Sequence, residues 1–198
     1  MAGTFEAGDH FGWSLAVDDL TNDGRADILA ADRPLRRGRR GWTQDTGGFE
    51  GHAEARDRFG TSLAMRPQPV GSAVGSSEAE LVIGVPDEDI GTIRDAGLVQ
   101  TVAVTPTTTR PVRSFTENST RTPGRVATGS RFGLSVVAMQ GGAESLWAVS
   151  SPYQGAGSVF LRNHLRQERS WVPGSGGIPR PAGSGRFGWA GAGLESGR

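Results

Sequence analysis

A phenylalanine–glycine pair occurs at Phe11-Gly12, Phe59-Gly60, Phe132-Gly133 and Phe187-Gly188, and this recurrence constrains the fold more than any other feature. The gaps between the phenylalanines are 48, 73 and 55 residues. Spacing of this order points to a repeat architecture, in which each unit buries its apolar face by stacking on its neighbours. The approach to the pair recurs as well. Gly3, Gly51 and Gly124 each stand eight residues before the phenylalanine, and the first two are followed by Glu6-Ala7 and Glu54-Ala55. An apolar strand is expected after each of the first three pairs, over 13–17, 61–65 and 134–139. The aromatic ring suits a plug between units, and the glycine lets the backbone turn tightly beside it.

The first repeat carries the chemistry. Its two apolar strands flank an acidic loop, Asp19-Leu20-Thr21-Asn22-Asp23-Gly24-Arg25-Ala26-Asp27. A hard cation such as Ca²⁺ takes six to eight oxygen ligands from a chain that wraps around it. Asp19, Thr21 and Asp23 occupy positions 1, 3 and 5 of such a wrap. Gly24 stands at the sharp turn, the carbonyl of Arg25 at position 7 and Asp27 at position 9. The run 28–31 that follows reads as a buried strand rather than a helix, so the loop is a calcium loop inside a β-hairpin and not an EF-hand. A plain Asn-Asp-Gly hairpin turn is the competing reading. Three carboxylates within nine residues repel one another without a cation, which favours the metal.

Downstream of the second and third pairs, Gly84-Val85-Pro86 and Ser150-Ser151-Pro152 close an apolar strand at matching positions. With the Phe-Gly pairs, the acidic loop and the strand after it, these residues resemble an FG-GAP repeat, the blade unit of the integrin α-subunit β-propeller. The resemblance covers nearly the whole chain. It implies an all-β fold of FG-GAP-type propeller blades, about three plus the start of a fourth, forming a partial or open propeller. The repeats run approximately over 3–50, 51–123, 124–178 and 179–198, within a single domain. It further implies an extracellular module, secreted or at the cell surface, that binds a protein or glycan ligand without catalysis, with Ca²⁺ held structurally by Asp19, Thr21, Asp23, Arg25 and Asp27. An accessory repeat region of a secreted hydrolase, with its catalytic domain outside these residues, is the alternative. A decayed or mis-framed remnant is a third reading.

The repeats also depart from the pattern. After Ala30 the first repeat reads Ala31-Asp32-Arg33-Pro34 and then an arginine run over 35–41, where a Gly-x-Val-x-Val strand is expected. That run is read as a solvated loop, with a local frame error as an alternative. In the second repeat residues 66–77 replace the acidic loop and carry no carboxylate, so no metal is expected there. Asp87-Glu88-Asp89 reads as a solvated acidic loop. The third repeat places Gln140-Gly141-Gly142-Ala143-Glu144-Ser145 at the loop position, again without acidic spacing. The fourth is only a beginning. Uncovered blade ends expose strand edges and apolar faces, so a fragment, or a chain that associates with itself, is expected.

Composition closes off other classes. Among 198 residues, 31 glycines and 11 prolines favour turns and short strands over helices. The formal net charge is zero, so no global field draws nucleic acid or an anionic membrane. No apolar run is long enough to span a bilayer, and the first residues lack the basic and apolar regions of a signal peptide. Cysteine is absent, which removes disulfides and thiolate chemistry. Lysine is absent too, read as GC-rich, bacterial-type coding. His10, His52 and His164 stand at unrelated positions, and no nucleophile elbow or phosphate loop occurs.

Overall fold

The computed structural model describes residues 13–18, 27–30, 44–45, 49–54, 56–66, 79–104, 109–119, 124–141, 144–163, 168–175, 179 and 188. Among these residues the chain is all-β, with no helix. The strands are β1 Leu15–Asp18, β2 Asp27–Ala30, β3 Ser62–Arg66, β4 Ala79–Val85, β5 Leu98–Val104, β6 Thr109–Phe115, β7 Val136–Gly141, β8 Glu144–Ser151, β9 Ser158–Asn163 and β10 Glu168–Trp171. They form a two-stranded sheet, β1-β2, and two four-stranded sheets, β3-β4-β5-β6 and β7-β8-β9-β10. Every pairing is antiparallel between chain neighbours, so each four-stranded sheet is a simple meander. The all-β expectation therefore holds at the level of two antiparallel four-stranded sheets. These sheets are not closed into a ring.

Alternation along β4 explains how the middle sheet is buried on both faces. Ala79, Leu81 and Ile83 enter one apolar cluster with Met65, Val102, Val104 and Ala16 of β1. Val82 enters another, with Ala64, Val99 and Phe115 from the same sheet and Val136, Trp147, Val149 and Phe160 from the next. Strand β5 is buried along its whole length, as expected of the sequence Leu-Val-Gln-Thr-Val-Ala-Val with a layer on each side. Strand β3 packs against both β1 and β7, so the strand after each Phe-Gly pair lies beside its counterparts in the neighbouring repeats.

Phe132 is the plug the sequence predicts. It is buried between the two four-stranded sheets and meets Phe160 edge-on at 5.5 Å and Phe115 at 5.9 Å between ring centres. Phe59 plays a lesser version of this part, half-buried and edge-on to Phe49 at 5.6 Å.

One loop expectation is corrected. The connection predicted over 140–145 is mostly strand, since β7 and β8 pair out to Gly141 opposite Glu144. A Gly-Gly-Ala sequence permits so short a connection. Strand β6 already pairs with β5 at Thr109 and Arg110. Pro111 lies in β6, which is an edge strand, where its missing N–H costs least, and the register shifts beside it. The irregular segment of the first repeat, 31–41, lies outside the described residues.

Candidate functional site

The predicted metal hairpin is present as a hairpin. Strand β1 pairs with β2 from Leu15 opposite Ala30 to Asp18 opposite Asp27. Asp19, Thr21, Asp23 and Arg25 lie outside the described residues. Asp27 is the first residue of β2 rather than a loop residue. The register adds a residue that the sequence reading passed over, because Asp18 is paired directly with Asp27. Among the described residues, no group of three or more acidic, histidine or cysteine side chains is arranged to hold a metal ion.

The described polar chemistry concentrates instead where consecutive repeats meet. The Phe-Gly turns at Gly60 and Gly133 are each tied down twice. The amide of Gly60 donates to the carbonyl of Gly84 at 3.1 Å, and that of Gly133 to the carbonyl of Ser150 at 2.9 Å. These bonds close the turn onto the Gly-Val-Pro or Ser-Ser-Pro element of the same repeat. The next tie crosses between repeats. Ser14 Oγ donates to the carbonyl of Gly60 at 2.6 Å, and Ser62 Oγ to that of Gly133 at 2.8 Å. Both serines stand three residues after the phenylalanine of their own repeat. That signal was present in the sequence, as Phe-Gly-x-Ser in three copies, but a serine beside a strand does not announce an acceptor in the next repeat.

Gly133 shows why the pair needs its glycine. Its φ is +88°, and a Cβ there would stand 2.8 Å from the Leu98 carbonyl oxygen and 2.9 Å from Val99 Cγ2. The backbone of Gly84 closes the other side, since a Cβ on Gly84 would lie 2.0 Å from the Gly133 oxygen. Two glycines in contact let two repeats approach more closely than side chains would permit. Gly188 of the fourth pair repeats the arrangement, with φ +81° and Ser150, Ser158 and Val159 against it.

The expectation of a solvated loop at Asp87-Glu88-Asp89 is overturned for its first two residues. Asp87 and Glu88 are each 5% exposed. Asp87 is shared by two arginines that precede successive Phe-Gly pairs. Arg58 Nε lies 2.6 Å from Oδ2, and Arg131 Nε lies 2.8 Å from Oδ1. Both arginines have left-handed backbones, with φ of +57° and +55°. The guanidinium of Arg131 also covers the ring of Tyr153 at 4.7 Å. Tyr153 follows Ser-Ser-Pro as Asp87 follows Gly-Val-Pro, so Arg131 bridges equivalent positions of two repeats.

Glu88 lies against Gln44, whose Nε2 donates to Oε2 at 2.5 Å. Burial pushes the Glu88 carboxyl up from 4.5 to about 7. The Gln44 bond opposes this, and nearby Asp57, Glu54 and Asp89 reinforce it. Gln100 is fully buried, with its Nε2 donating to the Glu50 carbonyl at 2.5 Å. His52 is exposed. Together these groups glue repeats to one another. They present no nucleophile set beside a base.

Compared with known proteins, the chain matches no family model and no curated sequence.

Proposed function

We propose that this chain is a calcium-stabilised module of FG-GAP-type β-propeller blades that binds an extracellular protein or glycan ligand without catalysis. The observation that carries the reading is the two successive four-stranded meanders, each opened by a Phe-Gly turn. The serine-to-glycine ties between repeats support it, as does the packing of β3 against β1 and β7. In a propeller the first strand of each blade lies nearest the axis, so first strands stand beside one another. The oxygen donors that the sequence supplies at Asp19, Thr21, Asp23, the Arg25 carbonyl and Asp27 support the Ca²⁺ site. The metal's role is structural: it neutralises the carboxylates and fixes the hairpin. A secreted or cell-surface location goes with this reading.

The test is thermal melting with and without Ca²⁺, for the native chain and for Asp23→Ala. A cation that binds the folded state raises stability by about 2.7 kcal/mol at a hundredfold excess over Kd. The expected result is an upward shift with Ca²⁺ that disappears in Asp23→Ala. A cooperative melt that ignores Ca²⁺ makes the loop an ordinary turn and removes the metal from the proposal.

A further inference from the structure

Each described junction between repeats contains one buried carboxyl with no cation against it among the described residues. At the first junction this is Glu88. The groups that face it are Gln44 from the end of the first repeat, Glu54 and Asp57 from the approach to the second, and Asp89 beside it. All of the charged groups in this set are acidic, and the arginines nearby go to Asp87. At the second junction the carboxyl is Glu117, 1% exposed, just past β6. It faces the hydroxyls of Ser130 and Ser151 in the third repeat, and neither of its oxygens completes a hydrogen bond.

Those hydroxyl protons are already in use. Ser130 Oγ lies 3.0 Å from the Ala96 carbonyl and 2.8 Å from that of Ala127. Ser151 Oγ donates to the Ser130 carbonyl at 3.0 Å. The bond to Ala96 spans the junction, alongside three backbone bonds. These run from the amides of Gly129, Arg131 and Phe132 to the carbonyls of Arg94, Asp95 and Ala96, at 2.8, 3.1 and 2.9 Å. A hydroxyl has a single proton to give. A buried carboxylate must be served by donors. If Glu117 ionises, its nearest donors are these two hydroxyls, and one of them, Ser130 Oγ, also reaches the Ala96 carbonyl across the junction. If Glu88 ionises, its charge joins three acids with the amide of Gln44 as donor.

The two places are equivalent in the repeat. Gln44 and Glu117 each stand seven residues before a glycine that closes over them. A Cβ on Gly51 would lie 2.6 Å from Gln44 Nε2 and 2.3 Å from Glu88 Oε1, and one on Gly124 would lie 3.1 Å from Glu117 Cβ.

We propose that these junctions are proton-controlled couplings, in which neutral Glu88 and Glu117 hold consecutive repeats together and loss of their protons loosens them. Burial raises the Glu117 carboxyl as well as that of Glu88, with the Ser151 and Ser130 hydroxyls opposing it. Both groups release protons more readily when unfolded. Their contribution to stability is therefore full below the ordinary glutamate range and is lost as pH rises, for Glu88 through about 7.

Hydrogen exchange at the amides of Gly129, Arg131 and Phe132, corrected for the intrinsic rate at each pH, reads the opening of the second junction. As pH rises above the ordinary glutamate range the opening constant should rise, and Glu117→Gln should abolish the rise. A flat opening constant in the native chain, or an undiminished rise in Glu117→Gln, overturns the coupling at this junction. Carboxyl titration of the native chain by carbon NMR needs no variant. A Glu88 midpoint near 7 supports the coupling, and one near the ordinary value of about 4.3 overturns it at the first junction.

Discussion

Asp87 balances charge for two repeats at once. Its carboxylate is buried, whereas the Arg58 and Arg131 side chains keep 44% and 29% of their surface in water. Removing a buried partner from such a set costs about 3–5 kcal/mol, and the exposure of both arginines places this case toward the lower end. Asp87→Ala should therefore lower the urea midpoint by the equivalent of about 3 kcal/mol, with Asp87→Asn milder because it keeps the volume. An unchanged midpoint for Asp87→Ala would show that the two guanidiniums do not depend on it. From the sequence, Asp87 and Glu88 look like part of a water-facing acidic loop, as their neighbours Pro86 and Asp89 suggest. Their burial depends on Arg131 and Gln44, which lie 44 residues away in opposite directions along the chain, and no local pattern encodes that.

Among elements, the Phe132 turn is the part of the fold most legible in advance. A ring followed by a glycine with φ +88° is a local device, and the repeat period locates it. Phe132 joins the two four-stranded sheets through Phe115 and Phe160. Truncating a fully buried phenylalanine leaves a cavity and costs about 3–5 kcal/mol. Phe132→Ala should lose that much in equilibrium unfolding. Phe59→Ala should lose less, because Phe59 is only half-buried. Equal losses would mean that Phe132 does not bridge the sheets. The strands themselves were legible through alternation and β-branched runs, with ends displaced by one to three residues. The tight β7–β8 connection was misjudged because Gln140 and Glu144 are polar, and polar residues at a strand end resemble a loop.

Across the whole molecule, the first sheet leaves an apolar face open. Leu15, Val17 and Ile28 are 57%, 57% and 69% exposed. Counted from the Phe-Gly pair and through the strand pairing, they match Leu63, Met65 and Leu81 of the second repeat, which pack in the cluster that contains Ala16. A face of this kind favours association between copies. Scattered-light mass should rise with protein concentration, and Val17→Glu should hold it at the monomer value. A native chain that stays monomeric at every concentration would remove self-association from the reading.

The sequence by itself determined the all-β class and the place of the Phe-Gly turns at Gly60 and Gly133. Glycine spacing, aromatic recurrence and alternation act within a few residues, and physics at that range can be read along the chain. It also placed oxygen donors at Asp19, Thr21, Asp23 and Asp27. The tertiary structure alone decided which polar residues are buried. Ser14 and Ser62 bond to the repeat that follows, Asp87 is shared between two arginines, and Glu88 and Glu117 are buried. Each of these depends on a surface supplied by another repeat. A residue's solvation, and with it its charge, is set by what packs over it rather than by its neighbours in the chain.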